Sequence, residues 1–260
     1  MTLRNLAARA VALIAVPVLL VALWWATTES STDVFWPPLS TILGEFADTW
    51  FTGRLTSDVL PSLVRLLTGY VLAVALGVGL GVAIGSFRTL RGVLEPVLEF
   101  FRAIPPPVLV PVLMLFAGIG DGMKVLVIVS GCVWPVLLNT VEGVRGLDEV
   151  LRDTARCYRM RPATRLLRLV LPGASPQICA GARQALSIGI ILMVISEMFA
   201  ASNGVGFTII QFQRTFAIPQ MWTGIILLGL IGIVLSALFQ LVEARALRWY
   251  TGLRKVQREG

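Results

Sequence analysis

The sequence is organised around apolar runs long enough to cross a lipid bilayer, and this limits the possible fold more than any other feature. "AVALIAVPVLLVALWWAT" (residues 10–27) and "GYVLAVALGVGLGVAIGS" (69–86) contain no charged residue. About 20 predominantly apolar residues in helical form span the hydrocarbon core. The chain is 56% hydrophobic and only 14% charged, so it lacks the polar surface that a soluble fold requires. The expected fold class is an all-α integral membrane protein.

Six spans are expected in one domain covering 1–260, at about 10–27, 59–86, 93–118, 122–142, 176–200 and 222–248. The first has the flanks of a secretory signal, with Arg4 and Arg9 before it and small residues after it. Its apolar run is longer than a usual signal core, and Trp24-Trp25 suits an interfacial anchor, so a retained helix is expected.

Charge sets the orientation, because Lys and Arg concentrate in cytoplasmic loops. With six crossings and a cytoplasmic N-terminus, only Arg54, Arg65, Lys124 and Arg214 of the 22 basic residues fall outside. The outer segment 28–58 is acidic on balance, carrying Glu29, Asp33, Glu45, Asp48 and Asp58. Both termini are therefore expected in the cytosol. The net charge of +7 does not indicate nucleic acid, because the basic residues sit between apolar spans. Cys132, Cys157 and Cys179 form no C-x-x-C pair and there is no histidine. A zinc site or a Cys–His nucleophile is excluded, and no metal site is expected.

The densest positive charge lies in the cytoplasmic loop 143–175, where "RDTARCYRMRPATRLLRLVLPG" carries Arg152, Arg156, Arg159, Arg161, Arg165 and Arg168. Leu147, Leu151, Ala155 and Tyr158 recur at helical spacing, with Asp148 placed to cap and Glu149 near the positive helix end. A second short helix is expected to start at Pro162 and stop at Pro172. Leu166, Leu167 and Val170 would form its apolar edge. Two amphipathic helices on the cytosolic side suit docking to a partner or to the lipid surface.

Within the spans, Gly69, Ala73, Gly77, Gly81 and Gly85 recur every four residues, which favours close helix packing. Pro105, Pro106, Pro107 and Pro111 break the third span. Such a break either lines a path or marks an irregular helix start, and the residues do not choose between these. Glu197 is the one acid of the fifth span. It has no evident partner, and is either an interfacial hydrated group or a transport residue. The candidates for a path are Pro106, Pro107, Met114, Ser130, Asn139 and Glu197, with Ser187 and Ser196 as further polar positions. Serine in a membrane helix commonly bonds its own backbone.

The central loop resembles the signature of the membrane subunits of ATP-binding-cassette importers. That signature reads Glu-Ala-Ala, three residues, Gly, nine residues, Ile, one residue, Leu-Pro. It falls on Asp153, Thr154 and Ala155, then Arg159, Leu169, Leu171 and Pro172. Arg159 stands where the signature has glycine, and either accepts the roughly 1–2 kcal/mol cost of a left-handed turn or the turn takes a different geometry. "VFWPPLSTILGEF", "LEPVLEFFRAIPPPVLVPVLMLFAGIGDGMK" and "ISEMFAASNGVGFTII" are similar to segments of the nitrate, sulfonate and taurine permeases, so the likeness runs over about 35–250.

The resemblance implies a type I importer permease fold in the plasma membrane of a prokaryote. Two permease copies, the second identical or a close paralogue, would form the path, and a cytosolic ATPase dimer would bind ATP and magnesium. An extracytoplasmic binding protein would deliver the solute. It also implies that Asp153, Ala155, Arg159, Arg161, Pro162, Arg165, Leu166, Leu169, Leu171 and Pro172 meet the ATPase, with membrane lipid as a further contact of the arginines. No cofactor is expected in this chain. Its two lysines, Lys124 and Lys255, are each followed by valine, so neither belongs to a phosphate-binding loop. No nucleophile elbow or zinc-protease motif occurs either, and the chain is expected to be non-catalytic.

The solutes of that subfamily include small oxyanions, sulfonates and aromatic carboxylates, and also thiamine precursors. An ATP-independent secondary transporter is the alternative. It calls for inverted repeats and intramembrane charge pairs, and neither is evident in the sequence.

Overall fold

The computed structural model describes residues 3–199 and 201–250, with residues 3–14 described by backbone alone. All regular structure among the described residues is helical. The α-helices are α1 (Leu3–Thr28), α2 (Leu39–Trp50), α3 (Leu60–Ser86), α4 (Arg88–Ala103), α5 (Val110–Ala117), α6 (Asp121–Arg145), α7 (Glu149–Cys157), α8 (Pro162–Arg165), α9 (Leu171–Phe199), α10 (Val205–Arg214) and α11 (Ile218–Ala246). Four helical stretches are long and apolar enough to cross a membrane: Leu55–Ser86, Asp121–Arg145, Pro162–Phe199 and Ile218–Ala246. α4 and α5 make a fifth if counted as one bent span, and Ala15–Thr28 is a shorter apolar helix.

α3, α6 and α9 form the core. Gly69, Gly77, Gly81 and Gly85 of α3 face Ile128, Val136, Thr140 and Val144 of α6. A methyl group on those glycines would stand only 2.8, 2.8, 2.6 and 2.9 Å from the opposing side chains. The four-residue repeat thus lets two backbones approach until no β-carbon fits between them. Gly79, off the ridge, has nothing within 4 Å. Between the helices lie Leu66, Ala73, Val127, Ile128, Cys132, Val136, Ala185, Leu192 and Met193, all buried. The Tyr70 hydroxyl donates to the Ala182 carbonyl at 3.0 Å and ties α3 to α9.

Two π-helical turns, Leu55–Val59 and Leu166–Val170, each run directly into a Leu-Pro pair, Leu60-Pro61 and Leu171-Pro172. The Leu60 and Leu171 amides reach back five residues, to the carbonyls of Leu55 and Leu166. A proline inside a helix has no amide to donate, and its ring crowds the carbonyl four residues back. Widening the preceding turn relieves that crowding. This corrects one expectation: the helix starting at Pro162 does not stop at Pro172. It continues for 38 residues to Phe199.

The segment expected as the third span is two helices bent by 82°. Ile104 and Pro105 are extended, and a short 3-10 turn, Pro106–Leu109, leads into α5. Pro105 pushes its predecessor out of the helical region, and Pro106 removes the next donor. Leu94 and Leu98 of α4 pack on Ile84, Leu137 and Val141.

Candidate functional site

At one end of the bundle lies a buried charge cluster. Asp58, Ser62 and Arg65 sit at helical spacing, on the π turn and the first turns of α3, and therefore share one face. Glu197, near the end of α9, has no exposed surface. Its carboxylate accepts from Arg65 Nη1 at 2.8 Å, from the Ser62 hydroxyl at 2.7 Å and from the Gly206 amide at 3.0 Å. Arg65 also donates through Nε to Asp121 at 2.7 Å, and to the Asn203 carbonyl and side chain at 3.2 and 2.5 Å. Asp58 accepts from the Gly204 amide at 3.1 Å, and the Ser62 hydroxyl accepts from the Val205 amide at 3.0 Å. Lys124 lies 3.4 Å from Asp121.

The buried members Asp58, Ser62, Arg65 and Glu197 offset one another's desolvation, which a buried ion pair requires if it is to persist, while Asp121 pairs with Arg65 from the exposed side. Gly204, at φ 121°, lies so close to Glu197 that a β-carbon would stand 2.5 Å from the carboxylate. The turn "NGVG" therefore folds its backbone over the acid. Glu197 is corrected from an interfacial, hydrated group without a partner to a buried member of a network. Arg65 and Lys124, placed on the outer side of the membrane by charge counting, are 4% and 3% exposed. Ser62, Arg65, Asp121 and Asn203 went unmarked as site residues. The available signal was polar Asp58, Ser62 and Arg65 entering an apolar run at helical spacing.

The arginine-rich loop lies at the other end of α6, about 36 Å away at 1.5 Å per residue. The Asp148 side chain accepts from the Val150 amide at 2.7 Å and caps α7. Arg159 has φ 47°. The Met160 amide bonds to the Ala155 carbonyl at 3.0 Å, and the Arg159 amide to Arg156 at 2.9 Å. This pair of bonds makes a Schellman turn, with Arg159 at the left-handed position. The chain thus keeps the glycine geometry with an arginine and bears its strain.

Asp153, Arg159, Arg161 and Pro162 are exposed, Arg165, Leu169, Leu171 and Pro172 half-buried, and Ala155 buried. Asp153 pairs with Arg156 at 2.9 Å. Arg152 donates to the Val144 carbonyl and holds α7 to the end of α6. The expected apolar edge divides. Val170 is buried, and Leu166 packs with Val144, Val170 and Ala174. Leu167 is 64% exposed, and Val150, Leu151 and Tyr158 are exposed as well.

The path candidates do not converge on one point. Pro106 packs at Gly131, and Met114 packs on the central core. Ser130 donates to the Val127 carbonyl, whereas Asn139 donates to Pro135 at 2.8 Å and faces Gln184 at 3.5 Å. Glu197 belongs to the charge cluster. Pro107 is half-buried in the 3-10 turn.

Residues 73–248 match the family of binding-protein-dependent transport system inner membrane components. The chain belongs to this family. As an ABC importer permease subunit it is a non-catalytic membrane component. A probable ABC transporter permease protein of Brucella melitensis is 30% identical over 226 residues, covering 87% of this permease and 92% of the relative. The taurine transport system permease protein of Escherichia coli K12 is 28% identical, covering 89% and 86%. The putative aliphatic sulfonates transport permease protein of Bacillus subtilis is 28% identical, covering 90% and 85%. The permease shares its fold with a chain of the inward-facing MetNI methionine ABC transporter, with TM-score 0.62 and 19% identity over 76% of this permease and 96% of that chain.

Proposed function

We propose that this permease carries a small oxyanion of the sulfonate or taurine kind across the inner membrane of a prokaryote. The relatives handling taurine and aliphatic sulfonates support the solute class. The chain works as a pair of copies on a cytosolic ATPase dimer, which binds ATP and magnesium, and an extracytoplasmic binding protein supplies the solute. No cofactor is held in this chain. Both termini lie in the cytosol and six segments cross, counting α1 once and the bent α4–α5 pair once. The distribution of basic residues supports that orientation.

The observation that carries the coupling role is one continuous helix. From Pro162 to Phe199 the chain runs for 38 residues, about 55 Å at 1.5 Å per residue. Its start projects the arginine-rich loop and exposed Leu167. Its end carries Glu197, fixed to Arg65 and Ser62. A push on the loop reaches the opposite side of the bundle without crossing a joint. The arginines and the apolar surface of Leu167 and Tyr158 offer the ATPase both charge and contact area.

The test is co-purification of the tagged chain from its host membranes under mild solubilisation. An ATPase subunit is expected with the wild type. It is expected to be lost from the Leu167→Glu, Arg168→Glu double variant, whose melting temperature stays within about 2 °C because both side chains face outward. Recovery of the wild-type chain without an ATPase, where a control importer keeps its own, would overturn the coupling role.

A further inference from the structure

The middle of α9 presents a face unlike those of its neighbours. Outward residues of α3 between Val71 and Leu80, and of α11 between Ile225 and Val234, are all aliphatic, alanine or glycine. Such faces suit lipid. On α9, Gly173, Gln177, Ala180, Gln184 and Ser187 follow one another at spacings of four, three, four and three, so they form one stripe. Gln177, Gln184 and Ser187 are exposed. Asn139 of α6 extends the stripe sideways, its amide 3.5 Å from the Gln184 side-chain carbonyl.

Asn139 spends its amide on Pro135 and Gln184, but the Gln184 and Ser187 donors are not absorbed by the bundle. Ser130 and Ser196 donate to carbonyls one turn back, at 2.7 and 2.9 Å. The Ser187 hydroxyl makes no such bond among the described residues, nor does the Gln184 amide nitrogen find an acceptor there. An open amide and hydroxyl facing hydrocarbon each cost several kcal/mol. This face therefore meets water. It carries no carboxylate, and the neighbouring Arg183 is already paired with Glu243 on α11. What remains is a set of neutral donors, which bind an oxyanion through hydrogen bonds but release it readily. Transport needs that balance.

We infer that Asn139, Gln184 and Ser187 form the polar wall of the aqueous path, in which the Gln184 amide and the Ser187 hydroxyl hydrogen-bond the oxygens of a small oxyanion in transit while Asn139 holds the Gln184 side chain. The inference rests on the permease function proposed above and names residues of its path. Glu197 and Ser130, bonded within the bundle, are not part of this wall.

The experiment is thiol modification in membrane vesicles holding the assembled transporter. The background lacks Cys157 and Cys179 and keeps buried Cys132. Gln184→Cys and Ser187→Cys are compared with Ile233→Cys on the aliphatic face, and Cys157 restored alone reports that reagent reaches the loop. The probes are two methanethiosulfonates, one bearing a sulfonate and one a quaternary ammonium. Positions 184 and 187 are expected to react at least tenfold faster than 233. Reaction no faster than at 233, while Cys157 reacts, overturns the aqueous wall.

The sulfonate reagent is itself a small oxyanion. Adding Gln184→Leu to the Ser187→Cys variant is expected to lower the sulfonate-to-ammonium rate ratio at least threefold, and an unchanged ratio overturns the donor role. Neither readout needs ATP or uptake. Failure to recover an ATPase by co-purification would therefore remove the coupling role while leaving these outcomes to be judged separately.

Discussion

Arg65 and Glu197, 132 residues apart in the chain, meet at 2.8 Å with side chains 4% and 0% exposed. The pair joins the start of α3 to the end of α9, and the Gly204–Gly206 backbone closes over it. Removing one partner takes a buried counter-charge from the other and leaves it only its remaining network bonds; breaking a buried pair in this way costs up to about 3–5 kcal/mol. Arg65→Met and Glu197→Met are each expected to lower the melting temperature of the purified chain sharply. The double variant is expected to be more stable than either single one. Strictly additive losses would mean that the two groups are not coupled.

The glycine ridge gives a paired prediction. A β-carbon at position 81 would stand 2.6 Å from that of Thr140, whereas position 79 is open. Gly81→Ala is expected to destabilise by about 1–3 kcal/mol through overpacking. Gly79→Ala is expected to be neutral or to stabilise by up to about 1 kcal/mol from helix propensity. Melting curves of the two variants in one detergent decide it; the same loss at both positions would refute close packing as the cause.

Arg159 occupies a left-handed position, at φ 47°. Replacing it with glycine relieves the clash between β-carbon and backbone, and Arg159→Gly is expected to gain roughly 1 kcal/mol. Arg159→Val is expected to lose stability, because a β-branched residue tolerates this region least. If both variants melt as the wild type does, the turn does not hold this conformation.

Trp50 on α2 donates its indole N–H to the Thr223 hydroxyl on α11 at 2.9 Å, and both side chains are fully buried. Thr223→Val preserves shape and removes the acceptor. The orphaned donor is expected to cost about 1–3 kcal/mol. The effect should appear as a lower melting temperature and a changed Trp50 fluorescence environment. No change in either would show that the bond contributes nothing.

The loop shows how far local pattern reaches. Asp148 as a cap is legible from local spacing, and Arg159 at the glycine position from the likeness to the importer signature, because caps and left-handed turns are settled within a few residues. The helix does not stop at Pro172, because the π turn that ends two residues earlier absorbs the proline. Leu166 and Leu167 look alike in sequence. Only the packing of Val144 and Ala174 decides which of them points inward.

The class of fold and the glycine ridge are legible in the chain alone, because they rest on composition and period, and the family likeness is legible there too, because it rests on matched motifs. Tertiary structure decided the rest. Arg65, Asp121 and the segment holding Glu197 and Asn203 are three separate stretches, and no local period announces that they meet. Burial in a low-dielectric interior makes an unpaired charge so costly that folding must bring a partner to it. Which partner arrives depends on how α3, α6 and α9 pack, and the one-dimensional pattern does not carry that information.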